Sequence, residues 1–320
     1  MVWLSGPGKI ELRNGPLGTL GSQQVECETL VTAISPGTEL AAYRGLPALR
    51  PGTGYPRLQG YCNVARVVAV GEAVTGLAPG DRILSFTSHR DRFLIDQDDV
   101  LLVLPNGADA GKIAVSYLFH LGYNAVLRAH VRAGSRVLVI GLGALGLTSV
   151  AMAALAGASV EAVSAHAAAA ARALGASRTL TRDDDITTPA DVVILTTNGW
   201  DDWQLALRSA APQATIAVLG FPGRGEPLPT VNPLDSQHFY VKQLRVEAVG
   251  LSPERPDSRG FLRFNERDNL AFIASRISAG VLDPTPIISG SYPGRDIQRA
   301  YDDLVSRRES PVTYLLDWQP

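Results

Sequence analysis

The residues Gly141-Leu142-Gly143-Ala144-Leu145-Gly146 carry the most definite chemistry in this sequence. Three glycines at this spacing let the chain turn tightly, bring backbone close to a bulky anion and allow a helix to pack against a sheet. The first N–H groups of that helix have no partner within it, so they can receive a pyrophosphate. Context gives the motif its weight: it follows the apolar run RVLVIG and opens the small-residue run LTSVAMAALAG, with a second strand-like run, SVEAVS, beyond. A dinucleotide is the implied ligand, and a ligand-free glycine turn is the alternative.

Which dinucleotide depends on the end of the second strand, about 20 residues on, where a carboxylate would bind both ribose hydroxyls of NAD. That strand reads ASVEAVSAH, which places Ser164 at the deciding position and His166 just beyond, with Glu161 in mid-strand. With no carboxylate to repel a 2′-phosphate, and with His166, Arg172 and Arg178 as partners for one, NADP is expected ahead of NAD. Further contacts are expected where later strands end: Thr196, Thr197 and Asn198 after DVVILTT, and Gly220 with Phe221 after TIAVLG. Each of these also reads as an ordinary loop residue.

The elements that must hold these residues fall into two patterns. The first third alternates short apolar runs with Gly and Pro, from VECETLVTAI through SPGTELAAYRGLP, NVARVVAVG, PGDRILSF and DVLLVLP, as a mostly β domain would. From Arg136 to about Gly250, strands alternate with helical segments in the βαβ rhythm of a doubly wound parallel sheet. An apolar helix from Lys112 to Ala129 leads from one to the other. The helix LAFIASRISAG and the final strand VTYLLDW return to the first domain. The fold class is therefore α/β, and 320 residues suit two domains.

Composition narrows the partners. With 29 basic against 31 acidic residues there is no global field for nucleic acid or an anionic membrane, so small molecules are expected. The 24 residues from Val137 to Val160 carry no charge, but their glycines break them where a strand, a turn and a helix need breaks. The N-terminus shows no apolar leader, and two cysteines, Cys27 and Cys62, build no disulfide framework, so a cytoplasmic protein is expected.

The order of SPGTELAAYRG, GYPRLQGYCNVARVVAVGEAVTGLAPGDRI, VLVIGLGALGL and VLGFPG resembles the medium-chain dehydrogenase/reductase superfamily over nearly the whole chain. Within it, SFTSHRDRFLIDQDDVLLVLP and the tail from Gly220 look most like the bacteriochlorophyllide dehydrogenase-like subgroup. The resemblance implies a GroES-like catalytic domain at residues 1–118, a Rossmann domain at 119–255 and a return segment at 256–320. It also implies a homodimer, with LRVEAVG as the edge strand to pair.

Zinc members of that superfamily have a Cys-Gly-Thr-Asp motif where this chain has Pro36-Gly37-Thr38-Glu39, and Gly-His-Glu where it has Gly60-Tyr61-Cys62; the third ligand position falls near Tyr117. Proline offers no ligand atom, and a catalytic zinc needs about three protein donors, so no metal is expected. The resemblance then makes Thr38, Tyr61 and Tyr117 the candidate catalytic hydroxyls. The bland alternatives are a turn cap for Thr38 and a pocket-lining aromatic for Tyr61. His89 is expected to face either a cleft or solvent, and His120 to be a satisfied core histidine.

Three functions remain open at this stage. One is a zinc-independent NADPH reductase that transfers hydride to a hydrophobic enone, quinone, imine or activated carbonyl. Another is an NAD-dependent secondary alcohol dehydrogenase. The third is a catalytically silent NADPH-binding protein.

Overall fold

The computed structural model describes residues 1–47, 54–307 and 310–319. They form two compact units, Met1–Tyr117 with Arg255–Pro320, and Leu118–Glu254.

In the first unit, β1 (Val2–Gly6), β2 (Lys9–Leu12) and β4 (Arg57–Leu58) form a small sheet in the order β2-β1-β4. The larger sheet has seven strands: β3 (Gln24–Ala33), β5 (Asn63–Val70), β6 (Arg82–Ser85), β7 (Arg92–Asp96), β8 (Leu102–Val103), β15 (Ile288–Pro293) and β16 (Thr313–Asp317). Its order is β15-β16-β3-β5-β6-β8, with β7 also paired to β3. Alternation drives β3: Val25, Cys27, Thr29 and Val31 all point inward. Val25 and Cys27 join Ala65, Val67, Ile83, Phe93 and Val100 in one core. Both cysteines are free and buried, and burial raises the Cys27 thiol to about 12, so it is an inert apolar side chain.

The helices of this unit are α1 (Pro36–Tyr43), α2 (Ala110–Ala114), α7 (Glu266–Ser278) and α8 (Ile297–Ser306); α3 (Ser116–Arg128) begins at its boundary. SPGTELAAYRG, grouped by sequence with the strands, is thus a helix, a correction with a local cause. Ser35 takes the N-cap, Pro36 enters the first turn where its missing N–H costs nothing, and Glu39 reaches back to the Ser35 N–H at 2.6 Å. The run expected as one helix from Lys112 breaks at Val115 into α2 and α3.

The second unit is a six-stranded sheet of β9 (Arg136–Ile140), β10 (Ser159–Val163), β11 (Arg178–Leu180), β12 (Ala190–Leu195), β13 (Ala210–Val218) and β14 (Arg245–Ala248). Every pairing is parallel, in the order β11-β10-β9-β12-β13-β14. Numbered within the unit this is 3-2-1-4-5-6, the doubly wound order, which puts its switch point between β9 and β12. Helices α4 (Ala144–Leu155), α5 (Ala168–Ala173) and α6 (Trp200–Ser209) connect the strands. The charge-free run is β9, the glycine turn, α4 and the start of β10. No helix among the described residues is long and apolar enough to cross a membrane. β14 is an edge strand with Val246 exposed.

Lys242 closes the end of α6. Its ammonium donates to the carbonyls of Leu207, Arg208 and Ala210 at 2.8–2.9 Å, where a helix leaves acceptors unpaired. Lys242→Met keeps the apolar stem and removes all three donors. We expect it to cost about 1–2 kcal/mol, measured as a lower urea midpoint.

Candidate functional site

Two groups of residues concern function, one in each unit. In the second unit the carboxyl ends of β9 and β12 converge on the glycine turn. Gly141 has φ +91°, and a Cβ there would lie 2.4 Å from Thr197 Cγ2 and 2.7 Å from Thr196 Oγ1. Thr196 donates to the carbonyl of Ile140 or Gly141 at 3.0–3.1 Å, pinning the turn to β12. A Cβ on Gly146 would fall 1.8 Å from the Gly141 carbonyl oxygen, so α4 enters this close only because residue 146 has no side chain. Gly220 is equally confined, since a Cβ there would fall 2.4 Å from the Thr197 carbonyl oxygen.

Gly141, Gly146, Thr196, Thr197 and Gly220 are therefore one packed constellation. Leu142 and Ala144 are buried, while Leu145 is half-buried. Gly143, the N-cap of α4, is exposed with open space where a side chain would stand. That is the arrangement a pyrophosphate needs: free N–H groups at a helix start and nothing between them and the ligand. Thr197 Oγ1 is buried without a hydrogen-bond partner, a polar atom the cradle has yet to satisfy. Phe221 is exposed beneath the Arg224 guanidinium, and Asn198 ties this loop down by accepting from the Phe221 N–H.

Ser164 directly follows β10, half-buried, and its hydroxyl accepts from the His166 N–H at 3.1 Å, with His166 exposed. Two expected partners of a 2′-phosphate have contacts of their own. Arg178 sits opposite Glu161 in the parallel register, two residues short of the strand end, and pairs with that carboxylate at 3.8 Å. Arg172 donates to Thr179 at 2.6 Å. All three cationic candidates are exposed, and His166 is the one bonded through its N–H to Ser164.

In the first unit the three candidate hydroxyls come together. Tyr61 Oη is hydrogen-bonded to Ser35 Oγ and lies 3.3 Å from Thr38 Oγ1. Tyr117 stacks edge-on against Tyr61 at 5.5 Å and against Phe86 at 4.9 Å, and its hydroxyl donates to Glu266 in the first turn of α7. Thr38 is exposed, whereas Ser35, Tyr117 and Glu266 are buried. Burial raises the Tyr61 pKa; the Cys62 and Glu39 charges add to it, and the Ser35 and Thr38 hydrogen bonds only partly oppose it. Tyr117 is raised by burial and then by Glu266. Both phenols thus stay protonated at neutral pH.

His89 faces neither a cleft nor solvent, correcting both expectations. Its ring is fully buried, 2.7 Å from Thr32 Oγ1 and 2.9 Å from Glu39 Oε2. Tyr43 and Tyr55 serve the scaffold, bonding Asp302 and the Ala42 carbonyl. Sequence reasoning missed Ser35 and Glu266. The Ser35-Pro36 start with a glutamate in the next turn was a legible signal for Ser35; Glu266 had none, because its partner lies 149 positions away.

These residues do not suit a zinc ion. Pro36 has no donor atom, Tyr61 and Tyr117 offer phenols in place of imidazole, thiolate or carboxylate, and Cys62 is a single thiol. Both ring nitrogens of His89 are already engaged. Among the described residues no group of three or more His, Cys, Asp or Glu side chains could hold a metal ion. The glycine cradle, by contrast, suits a dinucleotide.

No family model matches the chain. It is similar to a protein of Agrobacterium fabrum provisionally named D-xylulose reductase, 29% identical over 221 residues, which cover 65% of this chain and 58% of that protein. The match thus spans less than two thirds of that relative. Among solved structures it is similar to L-idonate 5-dehydrogenase from Escherichia coli, with TM-score 0.83, 13% identity, and 99% and 97% of the two chains covered. It is also similar to a provisionally assigned zinc-binding dehydrogenase from Sinorhizobium meliloti bound to NADP, with TM-score 0.78, 22% identity, and 99% and 98% covered. These likenesses show the fold, a GroES-like domain and a Rossmann domain as in alcohol and polyol dehydrogenases.

His120, on α3, is buried, and burial lowers its pKa to about 4. Because the folded pKa lies below the unfolded one, near 6.5, the unfolded chain gains a proton first as pH falls, and stability declines from pH 6.5 towards 4. The shift corresponds to about 3 kcal/mol by pH 4. His120→Gln should flatten this part of the pH profile, measured by urea unfolding at pH 7 and pH 4.

Proposed function

We propose that this chain is an NADPH-dependent oxidoreductase that works without a catalytic metal, reducing a small hydrophobic enone, quinone, imine or activated carbonyl. The observation that carries this is the Tyr61–Ser35–Thr38 hydroxyl cluster, in which Tyr61 stands where the resemblance would otherwise put a metal ligand and Pro36, between the other two, stands where it would put another. When bound, the reduced nicotinamide supplies a hydride. The N–H groups at the start of α4 would hold the pyrophosphate, Gly143 letting it approach, and Ser164 with His166 would meet the ribose and its 2′-phosphate.

Reduction leaves negative charge on the acceptor, and a protonated phenol can meet it with a hydrogen bond or a proton. Burial keeps Tyr61 protonated for that task, and Ser35 fixes its direction. Thr38, exposed beside the same oxygen, can return a proton from solvent. Tyr117 donates to the Glu266 carboxylate, whereas Tyr61 bonds only neutral hydroxyls, which makes Tyr61 the phenol better placed to give a proton to an acceptor. An acceptor that is already electrophilic suits such a site, because hydrogen bonds polarise a plain ketone less than a Lewis acid does.

The similarity to a protein named for D-xylulose reduction favours a second reading, oxidation of a secondary alcohol with NAD. The two separate cleanly. Protein dialysed against a chelator should retain NADPH turnover on a panel of enones, quinones and aldehydes, and Tyr61→Phe should lower kcat by about 10²–10⁴-fold. Activity that disappears on chelation and returns with zinc would favour the alcohol dehydrogenase. NADPH binding with no turnover on any acceptor would mark a silent binding protein.

Cofactor choice has its own test. Ser164→Asp places a carboxylate where a 2′-phosphate would sit, so preference should move from NADPH to NADH. A protein already selective for NADH overturns the NADP assignment.

A further inference from the structure

The hydroxyl cluster joins two stretches of chain that are far apart in sequence. Ser35 and Thr38 belong to the start of α1, and Tyr61 follows Gly60 in the segment before β5. His89, at no point in contact with Tyr61 through a hydrogen bond, touches both. Its Nε2 lies 2.9 Å from Glu39 Oε2, and the other Glu39 oxygen accepts from the Ser35 N–H at 2.6 Å, so the imidazole is tied to the turn that presents Ser35 and Thr38. On its other side the ring lies flat against Gly60. A Cβ at Gly60, which has φ +86°, would come within 2.5–2.6 Å of three ring atoms. The backbone repeats the attachment, since the His89 N–H donates to the Gln59 carbonyl at 2.8 Å.

The chemistry of the neighbours orients the ring. The Trp318 indole can only donate, and it donates to Thr32 Oγ1 at 3.0 Å. The proton of Thr32 then has His89 Nδ1, 2.7 Å away, as its acceptor. An acceptor at Nδ1 puts the ring proton on Nε2, which donates to Glu39. The Tyr301 hydroxyl also donates to Glu39, so the carboxylate receives three hydrogen bonds from three separate parts of the chain. His89 and Glu39 are 0% and 1% exposed, so no water competes for these bonds.

We infer that His89 is a positioning residue for the proposed site: as the neutral Nε2–H tautomer, directed by Trp318 and Thr32 and bonded to Glu39, it holds Gly60–Tyr61 in register with Ser35 and Thr38. The inference deepens the proposed function and rests on Tyr61 being the group that meets the reduced acceptor. It assigns Thr32 and Trp318 to the same task through the ring.

The test uses the full chain labelled with ¹⁵N-histidine and ¹³Cζ-tyrosine, the Tyr61 signal being identified by its loss in Tyr61→Phe. In the unaltered protein the His89 nitrogens should report a neutral ring protonated on Nε2. Thr32→Val, close in size, removes the donor to Nδ1, and His89→Asn removes the ring from Gly60. Each should displace the Tyr61 signal and lower kcat by up to roughly 100-fold, the scale of a displaced reacting group, while KM changes little and the NADPH Kd is unchanged. A merely structural role would lower the melting temperature and leave the kcat of the folded protein and the Tyr61 signal unmoved, overturning the inference. A charged ring, or one protonated on Nδ1, overturns it without any variant. Absence of turnover in the unaltered protein overturns the reductase reading alone, since the tautomer and the Tyr61 signal still decide the positioning role.

Discussion

The first unit is organised around one carboxylate that cannot reach water. A buried charge left without partners costs several kcal/mol, so the chain around Glu39 is obliged to bring it donors. It brings three: the N–H of Ser35 from the same turn, the ring of His89 from the β6–β7 connection, and the hydroxyl of Tyr301 from α8 near the end of the chain. Satisfying Glu39 therefore fixes where α1 begins relative to a loop some 50 residues on and a helix more than 250 residues on. The apolar core follows the same joints, since Ile34, Leu40, Tyr43, Ile297, Tyr301 and Leu316 pack as one cluster around them. Polar specificity and apolar burial agree on one arrangement, which is what a single native packing requires.

The second unit depends on exclusion, not on charge. Its switch point lies between the paired strands β9 and β12, and the helix that starts there reaches the turn only because Gly146 and Gly141 carry no side chains. Any larger residue at position 146 would hold α4 away from the carbonyl of residue 141 and tilt its N–H groups off their common target. Thr196 locks the same turn from the neighbouring strand. The cradle is therefore a packing consequence of the sheet, and its affinity for an anion follows from backbone groups that the fold leaves unpaired.

This difference explains what could be read in the sequence. Local periodicity and glycine spacing report on the second unit, where each strand, turn and helix is contiguous, and so β9, the turn, α4 and the place of Ser164 at the end of β10 were legible. The first unit is assembled from distant pieces. That Thr38, Tyr61 and Tyr117 lie together was expected from a family pattern and not from spacing. The burial of His89 had no local signal, because its neighbours at positions 32, 39 and 60 are brought together only by the fold. Arg178 belongs to a short strand, β11, that the sequence pattern did not reveal, and its register against Glu161 is a tertiary fact. The helical state of Pro36–Tyr43 was masked by proline and glycine, which read as turn residues until the N-cap and the first-turn glutamate are considered together.

A site that holds a metal can keep its ligands in place partly through the metal itself, because each bond restrains the side chain that makes it. A hydroxyl cluster has no such centre. Individual hydrogen bonds between neutral groups contribute about 1 kcal/mol, too little to hold a tyrosine from one segment against a serine from another. The restraint has to come from a stronger interaction close by, and a buried carboxylate with three donors can supply it. On this view the Glu39–His89 pair and the Tyr61–Ser35–Thr38 group are two layers of one device. The charged layer is sealed from water and fixes the geometry; the neutral layer, with Thr38 exposed, reaches solvent. Without such a layer the hydroxyls would be free to rotate, and so the fully buried histidine is the natural counterpart of the hydroxyl cluster it adjoins.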